Sequence, residues 1–178
     1  MRSGENLDPW GFHELQTIPW SSYLVDAVDP FLLYTTWYGG LARSRDGGMS
    51  WQTLEDAVYP LAADPVRSGR LFGTQATVQD GGLLISEDRG DTWSPTPVDT
   101  ANFVLVNPAY PQYLYSGFAY RGGSLWRSGD GGRTWVKSRW THGSLWDLVA
   151  DPRSPLGLYA TSWASLWHSE DGGDTWKE

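Results

Sequence analysis

Four octapeptides of one pattern constrain this chain more than any other feature. They are Ser44-Arg-Asp46-Gly-Gly48-Met-Ser50-Trp51, Ser86-Glu-Asp88-Arg-Gly90-Asp-Thr92-Trp93, Ser128-Gly-Asp130-Gly-Gly132-Arg-Thr134-Trp135 and Ser169-Glu-Asp171-Gly-Gly173-Asp-Thr175-Trp176. Their aspartates recur at intervals of 42, 42 and 41 residues. A fixed period of that size, carrying the same turn chemistry each time, marks a repeat architecture whose unit is one supersecondary element.

The residues between the octapeptides read as short strands. A second marker, Asp29-Pro30, Asp64-Pro65, Asn107-Pro108 and Asp151-Pro152, follows an alternating apolar stretch in each repeat. Asx-Pro starts a turn, and proline bars a central strand from continuing there. A second strand follows, then a glycine turn, then a third strand that ends at the serine of the octapeptide. The Asp motif makes the next hairpin, and a fourth strand starts at its Trp. Four short antiparallel strands in about 42 residues match one blade of a β-propeller. The chain is therefore expected to be all-β, with about four blades at 22–56, 57–98, 99–140 and 141–178, after an N-terminal closing strand within 1–21.

Within the octapeptide, the carboxylate can accept hydrogen bonds from amides of its own turn. Glycine two residues on allows a positive φ, and Trp is placed to enter the core between units. Asp46, Trp51, Asp88, Trp93, Asp130, Trp135, Asp171 and Trp176 are thus assigned structural roles. A calcium loop would need oxygen ligands at alternating positions and a later acid, which the four copies do not share. No metal or cofactor is expected.

Composition narrows the function classes. The 178 residues suit one domain with a sizeable core. A net charge of -8 argues against an unaided phosphate-backbone binder, and Arg121, Arg127, Arg133 and Arg139 read as solvated surface. With no cysteine, disulfide frameworks and thiolate chemistry are excluded. The opening residues 1–8 have no apolar stretch, and no 18-residue apolar run follows, so neither a signal peptide nor membrane insertion is expected. The reading is a soluble chain, cytoplasmic as written or a mature or excised form of an exported protein.

The octapeptide pattern Ser-x-Asp-x-Gly-x-Thr-Trp resembles the Asp-box, the bacterial neuraminidase (BNR) repeat. The chain as a whole resembles Asp-box β-propellers, which include sialidases, xyloglucan-active glycoside hydrolases, sortilin-type receptors and Ycf48-type photosystem assembly factors. That resemblance implies that the box lies between third and fourth strands, away from the usual ligand face. It implies ligand contact through the loops joining second to third strands and successive blades. Those loops supply Trp37, Tyr38, Asp80, Tyr120, Arg121, Trp140, His142 and Trp163 as candidate binding residues. Trp37 and Trp163 can equally plug gaps between blades, whereas Trp140 and His142, in a longer polar loop, read as surface.

The same resemblance bears on catalysis. Xyloglucan-active relatives carry a catalytic Asp in a Thr-Asp-x-Gly-Gly loop, but here the matching positions hold Trp37, Gln79 and Tyr120, with Asp80 one residue out of register. Sialidases open on Arg-Ile-Pro, and this chain has Thr17-Ile18-Pro19. Glycosidases need two carboxyl groups across the scissile bond, and no such pair is assignable. The expectation is a non-catalytic propeller that binds a protein partner or scaffolds an assembly through an aromatic rim. The alternative is a carbohydrate-binding or sialidase/xyloglucanase-like glycoside hydrolase propeller, with Asp80 or Asp56 as the acid. Four blades either close a small ring, latched by the N-terminal strand, or form half a propeller completed by a homodimer.

Overall fold

The computed structural model describes residues 23–37, 40–54, 58–75, 81–119, 124–163 and 165–178, with Trp37 described by its backbone alone. The described residues form strands and turns with no helix, and hence no helix long and apolar enough to cross a membrane.

Four antiparallel sheets follow one another along the chain. The first comprises β1 (Tyr23–Val25), β2 (Leu33–Trp37), β3 (Gly40–Ser44) and β4 (Gln52–Thr53), in that order. The second comprises β5 (Val58–Ala63), β6 (Leu71–Gln75), β7 (Leu83–Ser86) and β8 (Ser94–Pro95). The third comprises β9 (Phe103–Val106), β10 (Leu114–Phe118), β11 (Ser124–Ser128) and β12 (Val136–Lys137). The fourth holds β13 (Asp147–Ala150), β14 (Leu158–Ser162) and β15 (Ser165–Ser169), and an isolated bridge from His168 to Lys177 stands where the other sheets have their outer strand. Strands pair only with sequence neighbours, so each sheet is a meander of the β-propeller type.

Turn chemistry sets these registers. Asp64, Asn107 and Asp151 each accept a hydrogen bond at Oδ1 from the amide two residues on, at 2.9–3.0 Å. That closes an Asx-turn between first and second strands. In the first sheet this residue is Asp26, not Asp29 of the Asp29-Pro30 marker. Its Oδ1 accepts from Val28 and Asp29 at 2.9 and 2.8 Å, and its amide bonds Leu32 as that of Asp64 bonds Arg70. Asp26 Oδ2 also accepts from the Gly69 amide of the next sheet at 2.6 Å. Burial pushes its pKa up, but the Gly69, Asp29 and Val28 amides outweigh that and hold it below the ordinary carboxylate value.

The core is three separate junctions between successive sheets. Tyr34 and Leu41 of the first sheet pack with Leu71 of the second; Phe72, Leu83 and Ile85 of the second pack with Leu114 and Trp135 of the third; Tyr115 and Leu125 of the third pack with Leu148 and Leu158 of the fourth. Each fully buried side chain of this size contributes roughly 1.5–3 kcal/mol. The sheets thus touch in chain order, β1 and β2 against β5, β5 against β9, and β9 against β13. Among the described residues, no contact of that extent joins the first sheet to the fourth.

Candidate binding rim

The Asp hairpins lie at one edge of the sheets, between third and fourth strands. In each, the Asp Oδ1 accepts from the Ser two residues before it at 2.8 Å and from the amide four residues after it at 2.8–2.9 Å. Its Oδ2 accepts from the hydroxyl of Ser50, Thr92, Thr134 or Thr175 at 2.5–2.6 Å. These hydroxyl and amide donors hold Asp46 and Asp130 down to about 2. Burial opposes the same donors at Asp171, which also sits at about 2. The indoles of Trp51, Trp135 and Trp176 each donate to the carbonyl of the hairpin's second glycine at 3.0–3.2 Å.

The hairpins of the second, third and fourth sheets are each gripped from the preceding sheet. Arg43 Nη1 donates to Arg89 O at 2.7 Å, and its Nη2 pairs with Asp91 at 2.9 Å. Arg127 Nη1 donates to Asp171 O at 2.8 Å, and its Nη2 to Asp174 at 2.6 Å. At the middle junction Ile85 holds that register position, and Arg70 reaches the carbonyl of Gly131 instead. Arg70 is buried between Asp64 (3.0 Å) and Glu87 (2.7 Å). A cleft of about 430 Å³ opens beside it, lined by Arg67, Asp88, Thr92 and Arg133 among others. The buried charges of Arg43, Asp64 and Arg70 at this edge are held in structural contacts. Among the described residues no group of three His, Asp or Glu side chains is placed to hold a metal ion.

The opposite edge carries the aromatic residues. Trp163, in the β14–β15 turn, is 85% exposed, and Trp146, just before β13, is 48% exposed. Their rings meet edge to face, with centroids 5.9 Å apart at 67°. They come together because Asp147 pairs with Thr161, which places the residue before β13 beside the β14–β15 turn. An apolar cleft of about 220 Å³ adjoins Trp146, lined also by Phe103, Leu105, Ala119, Leu145 and Asp147 among others. Among the described residues of that lining Asp147 is the one acid; its Oδ1 accepts from the Leu148 amide at 2.9 Å.

The sequence-based candidates divide accordingly. Trp163 is 85% exposed in the β14–β15 turn. Trp140 is a correction: it is 7% exposed, because its loop folds inward and its Nε1 donates to Gly143 O at 2.7 Å. Its ring meets those of Trp176 at 5.0 Å and His142 at 5.1 Å edge to face. His142 is half-buried and stacks on Trp167 at 3.8 Å. Trp37 ends β2. Tyr38, Asp80, Tyr120 and Arg121 lie outside the described residues, as do Asp56, Gln79 and the proposed N-terminal closing strand. Trp146 is not among those candidates, because it lies within the apolar stretch that precedes Asp151-Pro152. An indole next to an acid at a strand's first residue is the signal that marks it.

Four meander sheets packed in chain order, carrying an aromatic rim on one edge, define a protein of the β-propeller class. No protein-family profile matches the chain. A curated relative, the xyloglucanase of a Paenibacillus species, is 34% identical over 126 residues, covering 56% of this chain and 12% of its own length. This chain therefore spans about an eighth of that relative. Among solved structures, an ancestral GH74 enzyme superposes with a TM-score of 0.70 at 20% identity over 87% of this chain and 23% of its own. YCF48 from Cyanidioschyzon merolae superposes with a TM-score of 0.54 at 16% identity over 87% of this chain and 54% of its own. Both solved structures share the fold.

Proposed function

We propose that the chain is a non-catalytic binding propeller whose rim recognises a polysaccharide of the xyloglucan type. The observation that carries this reading is the exposed Trp146–Trp163 pair beside an apolar cleft. Indoles present the large, flat apolar faces on which pyranose rings stack. The relationship to a xyloglucanase supports the ligand class. That the cleft's described residues include one acid, Asp147, supports binding over turnover, since hydrolysis calls for two opposed carboxyl groups. The resemblance of the four hairpins to the Asp-box agrees with this division, structure on one edge and recognition on the other.

A second reading, a protein-binding or assembly scaffold, is favoured by one specific feature: exposed Leu166 and Val149 share the fourth sheet with the indole pair. Aromatic anchors among aliphatic neighbours also suit a protein interface. Calorimetry with xyloglucan oligosaccharides, run beside a reducing-sugar assay, separates the readings. The expected result is saturable binding without new reducing ends, weakened at least about tenfold in Trp163→Ala, the scale of about 1.4 kcal/mol. Turnover abolished in Asp80→Asn would make the chain a hydrolase, and absence of any glycan binding would leave the scaffold.

A further inference from the structure

The junction between the second and third sheets departs from its two neighbours at a pair of positions that face each other. Cross-strand register places Arg43 opposite Tyr34, Arg127 opposite Tyr115 and Ile85 opposite Phe72, so Ile85 stands where its counterparts are arginine. Each of those arginines meets the third residue after the next hairpin's aspartate: Asp91 lies 2.9 Å from Arg43, and Asp174 lies 2.6 Å from Arg127. In the third hairpin that residue is Arg133. Both members of the ion pair are thus replaced together, the cation by an aliphatic side chain and the anion by a cation.

The cleft of about 430 Å³ opens at this exchange, with Ile85 and Arg133 both in its lining. That volume is in the range of small-molecule sites. Arg67, from the β5–β6 turn, reaches the same hairpin, since a Cβ on Gly131 would lie 3.4 Å from its Nη2. Arg67 and Arg133 are exposed, and among the described residues neither guanidinium makes an ion pair or a hydrogen bond. Two cations held at one hairpin with no anion between them repel. A carboxylate bound there relieves the repulsion and accepts charge-assisted, two-pronged hydrogen bonds. Arg70, deeper in the cleft, is already neutralised by Asp64 and Glu87.

The rest of the lining narrows the ligand class. Asp88 and Glu87 also face the cleft. The Asp88 carboxylate is engaged by Ser86 and Thr92. Glu87 gives Oε1 to Arg70 and is 65% exposed, and its other oxygen has no partner among the described residues. Two carboxylates beside the arginines would repel a dianion such as phosphate, whereas the free Glu87 oxygen can accept from a ligand hydroxyl. Ser94 adds a hydroxyl, and Pro95 and Pro97 add apolar ring faces. A single carboxylate on a hydroxyl-rich ring with apolar faces satisfies all of these groups.

We propose that this cleft binds a sugar of the uronic-acid type. Arg67 and Arg133 hold its carboxylate, and Glu87 and Ser94 hold its hydroxyls. The site lies on the hairpin edge, opposite the Trp146–Trp163 pair, and stands independently of the binding reading given for that rim.

NMR titration of the ¹⁵N-labelled full chain with sodium glucuronate tests this. The expected result is saturable shifts of the Arg133 and Ser94 amides, with glucose, acetate and phosphate each binding at least about tenfold more weakly. Arg67→Gln and Arg133→Gln should each weaken glucuronate at least about tenfold, through loss of a charged hydrogen-bond donor. Both residues are exposed, so circular dichroism should report an unchanged fold. Arg139→Gln, outside the lining, should leave glucuronate binding unchanged. So should Trp163→Ala, and Arg133→Gln should leave xyloglucan binding unchanged, so that either site can fail alone. Acetate or phosphate binding as tightly as glucuronate, tighter binding of a poly-glutamate peptide, or indifference to both arginine substitutions would overturn the proposal.

Discussion

Replacing Asp130 by Ala tests whether the hairpin carboxylate holds its sheet together. The wild-type carboxylate accepts from Ser128 Oγ at 2.8 Å, Thr134 N at 2.9 Å, Thr134 Oγ1 at 2.6 Å and Arg133 N at 3.0 Å. Arg133 and Thr134 are exposed, so water replaces the carboxylate there at little net cost. Ser128 is 3% exposed and also accepts from the Gly132 amide at 2.8 Å, so its hydroxyl proton loses its only acceptor inside the protein. One buried donor left unmade, together with the weakened turn, should cost about 1–3 kcal/mol. For a chain of this length that lowers Tm by about 2–4 °C per kcal/mol. Differential scanning fluorimetry at pH 7 reads it directly.

The pH dependence sharpens the test. Asp130 is held down to about 2 from an ordinary 3.8, so its folded pKa is the depressed one. Its contribution is complete above the unfolded value and is lost as pH falls from there through about 2. The gap in Tm between wild type and Asp130→Ala should therefore close across that window, and Asp130→Asn should fall between the two. An unchanged Tm at pH 7, or a gap that persists at pH 2, would refute the reasoning.

Three further substitutions probe other links. Gly90→Val adds a branched side chain at φ +86° with Leu54 and Leu41 at 3.0 and 3.2 Å from its Cβ; overpacking and left-handed strain should cost at least about 2 kcal/mol in urea titration. Arg89 occupies, at φ +68°, the position that Gly47, Gly131 and Gly172 hold at φ +73° to +76°; Arg89→Gly should stabilise by about 0.5 kcal/mol, the relief of about 1–2 kcal/mol less the entropy of a new glycine. Trp140→Ala should cost about 3–5 kcal/mol as a core truncation; an unchanged urea midpoint with lost ligand binding would return Trp140 to the surface.

The repeat, the strand order and the location of the hairpins were legible in the sequence because each rests on chemistry within eight or ten residues. Asp130 meets Thr134, and Asn107 meets Ala109, whatever the rest of the chain does. The shift from Asp29 to Asp26 went unread because both are acids near a turn, and only pairing with Leu32 and Gly69 chooses between them. Trp140 was misplaced for a similar reason. A polar loop predicts exposure, but the rings of Trp167, Trp176 and His142 come from other elements and draw it inward.

The identity of the unit was thus settled by local sequence, since its turns close over short distances with their own donors and acceptors. What only the tertiary structure decided is which copy of each surface meets another. Leu125 and Leu166 occupy the same register position in nearly the same sequence context, yet one lies under the next sheet's glycine hairpin and the other faces outward. Burial depends on what packs across the junction, and no residue encodes its neighbour's presence.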